Sequence, residues 1–211
     1  MTSRKKLLEN FKLYAVTDLK KVDRFTLKRI EAILRGGADI IQLRSKTLSD
    51  LELYQVGKGI KKLVRKYRKL FFVNDRLDLC RALDADGIHI GQDDLPVKIV
   101  RSMLRRGRLI GKSTHSLTQA KKTLREDVDY IGCGPIYGTP TKPHYRAVGL
   151  SLIPKVKAIA KKPVVCIGGI NLKNIDQVLD AGANRVAVVR ALFEARNPYQ
   201  VAREFKRILE K

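Results

Sequence analysis

The chain has 211 residues, 44% of them hydrophobic, which suits a packed core and excludes a chain disordered by composition. Its 44 Lys and Arg against 21 Asp and Glu give a net charge of +23, which favours anionic ligands and makes nucleic acid a partner to be weighed. Three separated cysteines exclude a disulfide framework, and no run reaches the roughly 18 apolar residues of a membrane-spanning helix.

Residues 1–10 carry basic side chains with no apolar block behind them, so they do not read as an export signal, and a cytoplasmic location is expected. A first strand is predicted over 13–17 and a helix over 25–35, stopped by Gly36-Gly37. A strand over 40–44 and a helix over 50–66 follow, then a strand over 71–74, a helix over 76–83 and a strand over 87–89. Pro96 opens a helix over 96–105, where its missing N–H is harmless, and a strand over 109–112 leads to a helix over 117–125. The remaining strands are placed at 130–133, 164–167 and 185–189, with helices over 150–160, 171–181 and 199–209. Ile175, Val178 and Leu179 make one apolar stripe, and Gly182 stops that helix. Eight strand–helix units with short connections predict a parallel sheet closed into a (β/α)8 TIM barrel, a single compact domain over 1–211. The basic runs at 61–69, 101–108 and 155–162 fall on outer helix faces or the turns after them, so a solvated surface is expected rather than a nucleic-acid site.

Polar residues gather at the C-terminal ends of the predicted strands, where a barrel carries its chemistry. Period-two alternation puts Gln42, Arg44 and Lys46 on one side of the second strand, an amide and two cations suited to an anion; a solvated edge with a salt bridge is the competing reading. Asp75 and Asp94 each follow a strand and can face one mouth as magnesium ligands completed by phosphate oxygens, with Asp93 as a rival for the second place and ordinary caps as the alternative. Asn74 suits a substrate amide, amine or phosphate, and Ser113 closes the fifth strand. The loop 132–142, GCGPIYGTPTK, offers Thr139, Thr141 and Lys142 as a lid or clamp over an anion. Backbone N–H groups near Gly169 and near Val189-Arg190 suit a second anion site for a monophosphate. His89 reads as a core residue or one standing behind the site, His115 as lining the mouth or capping a helix, and Cys133 and Cys166 as small packed side chains. No histidine belongs to a zinc pattern, and no serine has a histidine and acid relay.

These pieces, taken together and in order, resemble the thiamine-phosphate synthase (thiamine-phosphate pyrophosphorylase) family. They are YAVT at 14–17, IQLRSK at 41–46, VND at 73–75, ADGIHIGQDDLP at 85–96, GKSTHS at 111–116, DYIGCGPIYGTPTK at 129–142 and IGGI at 167–170. The resemblance implies a (β/α)8 barrel transferase that joins 4-amino-2-methyl-5-hydroxymethylpyrimidine diphosphate to thiazole phosphate or its carboxylate, giving thiamine monophosphate and pyrophosphate through a dissociative substitution. It implies Gln42, Arg44, Lys46, Asn74 and Ser113 at the pyrimidine diphosphate and Asp75 and Asp94 on Mg2+. It places Thr139, Thr141, Gly169, Val189 and Arg190 at the thiazole phosphate and Lys142 on the pyrophosphate side, with Arg44, Lys46 and Lys142 as the catalytic cations. Arg190 departs from the small hydroxyl residue common there. The related thiazole tautomerase shares the barrel but needs no diphosphate site, and the set from Gln42 to Lys142 argues against it. Neither nucleic acid nor membrane is expected as a partner, and a homo-oligomer stays open.

Overall fold

The structure, a computed structural model, describes residues 3–140 and 145–211. Eight parallel strands close into a barrel in sequence order: β1 (Leu13–Val16), β2 (Ile40–Leu43), β3 (Leu70–Asn74), β4 (Gly87–Ile90), β5 (Leu109–Thr114), β6 (Tyr130–Cys133), β7 (Val164–Ile167) and β8 (Val186–Val188). The pairing of Leu13 with Val186 shuts the ring between β1 and β8. The expected barrel is therefore the observed one.

Helices flank the strands: α1 (Ser3–Asn10), α2 (Thr26–Arg35), α3 (Asp50–Lys66), α4 (Leu77–Ala82), α5 (Val97–Met103), α6 (Leu117–Leu124), α7 (Leu152–Ile159), α8 (Ile175–Asp180), α9 (Arg190–Phe193) and α10 (Pro198–Leu209). Local chemistry sets their ends. Ser49 starts α3 with a capping box, its hydroxyl accepting from Glu52 N–H at 3.3 Å while the Glu52 carboxylate accepts from Ser49 N–H at 2.9 Å. Leu53, Val56, Ile60 and Val64 then repeat every three or four residues and are all buried. Sequence pattern missed α1 and α9, which are short and carry little apolar periodicity of their own. The helix expected over 171–181 begins only at Ile175, because Asn174 accepts from Asn171 N–H at 2.8 Å and Asn171 accepts from Lys173 N–H at 2.8 Å, holding 171–174 in turns. Pro96 caps α5 instead of entering it.

Two apolar populations explain why the strands are buried on both faces. Leu13, Ala15, Ile41, Leu43, Phe71 and Val73 pack outward under the helices, as do Cys133 and Cys166. Alternate residues point into the barrel, where Phe11, Tyr14, Ile40, Leu70, Phe72, Leu109, Tyr130 and Val165 form a separate cluster. Glycine makes room for the rings: a Cβ on Gly111 would lie 2.0 Å from Tyr130 Cζ, and one on Gly87 would lie 2.5 Å from Phe72 Cε1.

The N-terminal end of the barrel is tied by carboxylates, each one residue ahead of an even-numbered strand. Asp39 accepts from Lys12 and Leu13 N–H, Asp86 from Phe71 N–H and Asp129 from Ile110 N–H. Each is also ion-paired: Asp39 with Lys69 and Lys206 at 2.7 Å, Asp86 with Arg4 at 2.5 Å, and Asp129 with Arg101 at 2.8 Å. Burial alone would raise the Asp39 carboxyl, but the Lys206 and Lys69 ammoniums outweigh it and hold Asp39 below the ordinary carboxylate range. With the N-terminal end committed to these ties, the polar groups at the opposite end are the ones open to a ligand.

Candidate active site

A cavity of about 340 Å³ opens at the C-terminal ends of the strands, within the size range of small-molecule sites. Among the residues expected at the site, Gln42, Arg44, Asn74, Ser113, Thr139, Gly169, Val189 and Arg190 line it. Lys46, Asp75 and Asp94 are not in its wall, while Thr141 and Lys142 lie outside the described residues, as does His144.

Arg44 is the central cation. It is only 7% exposed, and its guanidinium pairs with the Asp18 carboxylate just beyond β1. Its backbone is fixed as well, since Arg44 N–H donates to Thr17 Oγ1 at 2.7 Å and the Thr17 hydroxyl donates to Arg44 O at 2.8 Å. Arg44 Nε is buried and without a hydrogen-bond partner among the described residues. The Arg44 side chain lines the cavity, and a guanidinium held in a cavity wall is a place for an anion.

The common side expected for Gln42, Arg44 and Lys46 holds for the first two only. The paired backbone continues past Leu43 to a bridge between Leu19 and Ser45. There the Ser45 hydroxyl accepts from Thr47 and Leu48 N–H at 3.1 and 3.0 Å, which turns the chain and carries Lys46 out to the rim. Lys46 Nζ lies 3.1 Å from Asp75 Oδ2, so the salt-bridge reading and the anion reading meet at one edge: a rim ion pair beside a buried cation.

Asp75 and Asp94 stand beyond the adjacent strands β3 and β4. Asp75 adopts φ +48° and donates its N–H to His89 O at 2.9 Å. Its Oδ2 accepts from Asn74 Nδ2 at 2.7 Å as well as from Lys46, and Asp94 Oδ2 accepts from Gly91 N–H, so among the described residues the hydrogen bonds leave Oδ1 of each carboxylate over. Two carboxylate oxygens at one rim fit a hard divalent cation that takes its other ligands from phosphate and water. Among the described residues no group of three or more His, Cys, Asp or Glu could hold a metal ion, so the protein would supply only part of the coordination.

Opposite Arg44, the loop after β6 is pinned to the end of β7: Ile136 N–H donates to Ile167 O at 2.8 Å and Tyr137 N–H to Gly168 O at 3.0 Å. Gly169 has φ +68°, and a Cβ there would sit 2.6 Å from Tyr137 Cβ, so only glycine fits this close crossing. Arg190 turns its guanidinium to Glu194, with Nε 2.9 and 3.0 Å from the two carboxylate oxygens. Glu194 raises the Arg190 guanidinium further above its ordinary value. With that side chain drawn aside, main-chain groups can face the cavity beside Gly169 and Val189.

Sequence reasoning missed the two tyrosines of the floor, while His89 does stand behind Ser113 as the sequence suggests. Tyr14, Tyr130 and His89 line the cavity below Gln42 and Ser113 and are hydrogen-bonded to one another. Burial pushes both phenols well above their ordinary pKa, so both stay protonated. The available signal was their spacing from Gln42 and Ser113, since each sits at an inward strand position. His115 also lines the cavity, its Nδ1 on Gly134 O and its ring 4.3 Å from the Tyr145 ring. Among the described residues, no helix is long and apolar enough to cross a membrane.

Comparisons with known proteins bear on the family and the fold. The family model described as thiamine monophosphate synthase matches residues 13–192. The chain is 41% identical over 209 residues to a thiamine-phosphate synthase of Thermosynechococcus vestitus, covering 99% of this chain and 59% of the relative. It is 44% identical over 170 residues to that of Parasynechococcus marenigrum, covering 81% of this chain and 49% of the relative. The chain thus spans about half the length of the curated relatives it matches. Among solved structures, thiamine phosphate pyrophosphorylase from Pyrococcus furiosus superposes with a TM-score of 0.87 at 36% identity, over 99% of this chain and 98% of that one.

Proposed function

Since the chain belongs to the thiamine monophosphate synthase family, we propose that it couples 4-amino-2-methyl-5-hydroxymethylpyrimidine diphosphate to thiazole phosphate or its carboxylate, releasing pyrophosphate and forming thiamine monophosphate. The whole chain, 1–211, acts as one catalytic unit in this reading. One observation carries it: Arg44, 7% exposed and paired to Asp18, lines the cavity beside Gln42, Asn74 and Ser113.

Pyrophosphate leaves readily only when the negative charge building on it is offset. Arg44 supplies a guanidinium already held by Asp18 on a backbone fixed by Thr17, so little ordering remains to be done when the diphosphate binds. Lys46 brings a mobile ammonium to the rim, and Lys142 adds a third cation on the pyrophosphate side. Asn74 and Ser113 hydrogen-bond the pyrimidine diphosphate. Asp75 and Asp94 would hold Mg2+, which would supply positive charge to offset that of the diphosphate. Thr139 and Thr141, with main chain at Gly169, Val189 and Arg190, hold the thiazole phosphate so that the ring nitrogen faces the pyrimidine methylene carbon. The electron-rich aminopyrimidine bears positive charge at that carbon as the diphosphate departs, and the thiazole nitrogen then forms the new C–N bond. No side chain has to act as general acid or base in that sequence.

The test is direct. Purified protein given both phosphorylated precursors and Mg2+ is expected to yield thiamine monophosphate, followed by chromatography. No product beside an active control enzyme overturns the assignment.

A further inference from the structure

Beneath the cavity five side chains form one unbroken hydrogen-bonded chain across the barrel. Gln42 Nε2 donates to Tyr14 Oη at 2.8 Å, Tyr14 Oη meets Tyr130 Oη at 3.0 Å, Tyr130 Oη meets His89 Nδ1 at 2.8 Å, and His89 Nε2 meets Ser113 Oγ at 2.8 Å. The reaction described above uses only the two ends, Gln42 and Ser113. The three middle residues are costly to place: both phenols are 1% exposed, and Gly111 has to lack a side chain for Tyr130 to fit.

Proton counting gives the chain a direction. Each buried hydroxyl has one proton to give. With Gln42 Nε2 donating to Tyr14, Tyr14 passes its proton to Tyr130, and Tyr130 passes its own to His89 Nδ1. The imidazole then carries its proton on Nε2 and donates to Ser113 Oγ. Ser113 is left with its O–H for the cavity, and Gln42 is left with Oε1 facing it. Both ends therefore have fixed polarity: an acceptor at Gln42 and a donor at Ser113. Running the chain the other way requires the Gln42 amide to flip and reverses both ends together, presenting Nε2–H at Gln42 and a lone pair at Ser113.

We propose that Tyr14, Tyr130 and His89 are positioning residues that lock this polarity and thereby select a 4-aminopyrimidine over its 4-oxo counterpart. The inference rests on the function proposed above and deepens it. An exocyclic amine donates N–H to Gln42 Oε1. A 4-oxo group sets an acceptor against that acceptor, leaving both unpaired in a buried place. The Ser113 hydroxyl donates to the second acceptor on the ligand, a ring nitrogen or a diphosphate oxygen.

Titration calorimetry in the absence of the thiazole phosphate tests this, with the 4-amino and 4-oxo pyrimidine methyl diphosphates as probes. The wild-type chain is expected to prefer the amino compound by about 100-fold, the scale of a mispaired buried polar group. Tyr130→Phe keeps the ring and cuts the chain in its middle, so the preference is expected to fall to about tenfold or less through tighter relative binding of the oxo compound. Tyr14→Phe is expected to do the same and stands in if Tyr130→Phe does not fold. A merely structural role lowers the melting temperature and weakens both probes in parallel, leaving their ratio at the wild-type value; that result overturns the inference. So does a wild-type preference for the 4-oxo probe, which marks the reversed polarity. Product formation by the wild-type chain separates the two claims: turnover with an unchanged ratio in the variants sinks the polarity lock alone, whereas absent turnover sinks the function.

Discussion

At the N-terminal end of the barrel Asp39, Asp86 and Asp129 each accept from a strand N–H and pair with at least one cation. At the C-terminal end the same residue types are left partly unspent. Arg44 keeps Nε unpartnered, and Asp75 and Asp94 take their hydrogen bonds on Oδ2. The two ends share a strand scaffold and differ in what their polar groups meet: strand N–H groups and ion partners at the N-terminal end, a cavity at the C-terminal end. Carboxylates bonded to strand N–H groups and to cations fix a structure, whereas polar groups on a cavity wall are placed to meet a ligand. The N-terminal end is thus the part that ties the barrel together, and the C-terminal end is the part open to a ligand.

The sharpest way to break this contrast is to exchange a charge at each end. Arg44→Gln is expected to lower kcat/KM by about 10²–10³-fold, the cost of losing a preorganised charge at a departing anion, while the melting temperature moves far less than activity does. Steady-state kinetics beside a thermal melt reads both. Asp39→Ala is expected to do the reverse, costing about 3 kcal/mol in denaturant unfolding because Lys69, Lys206 and two strand N–H groups lose their partner, with kcat close to wild type. Acid sharpens that result. Asp39 is held below the ordinary carboxylate range, so its stabilisation is present above a pH of about 4 and fades as pH falls through its lower folded value. The stability gap between wild type and Asp39→Asn is therefore expected to narrow in acid, and a gap that widens would contradict it. Asp94→Asn is the mildest change, expected to raise the Mg2+ concentration for half-maximal rate by about tenfold, the lower end for a perturbed metal site.

Much of this contrast is legible in the sequence, and the exceptions have physical causes. Apolar strands of three to six residues between charged helices announce the barrel, and Gln42, Arg44, Asn74 and Ser113 at strand ends announce the mouth. Lys46 was misplaced because alternation assumes that the strand goes on, whereas the Ser45 hydroxyl turns it. The helix predicted from Asn171 starts late because two asparagine side chains compete for the backbone. The floor was hidden for another reason. Tyr14 and Tyr130 are 116 residues apart, and only closure of the barrel brings their hydroxyls to 3.0 Å. Strand periodicity says which way a side chain points; it does not say which side chain it meets across the ring.

The central claim is that charge held open at the C-terminal mouth lets a diphosphate depart toward a bound acceptor. Pyrophosphate release measured with the pyrimidine diphosphate, Mg2+ and thiazole phosphate, in wild type and Arg44→Gln, tests it most directly. The account predicts rapid release matched one for one by thiamine monophosphate in the wild type and a loss of about 10²-fold or more in the variant. Equal release by both proteins would contradict it.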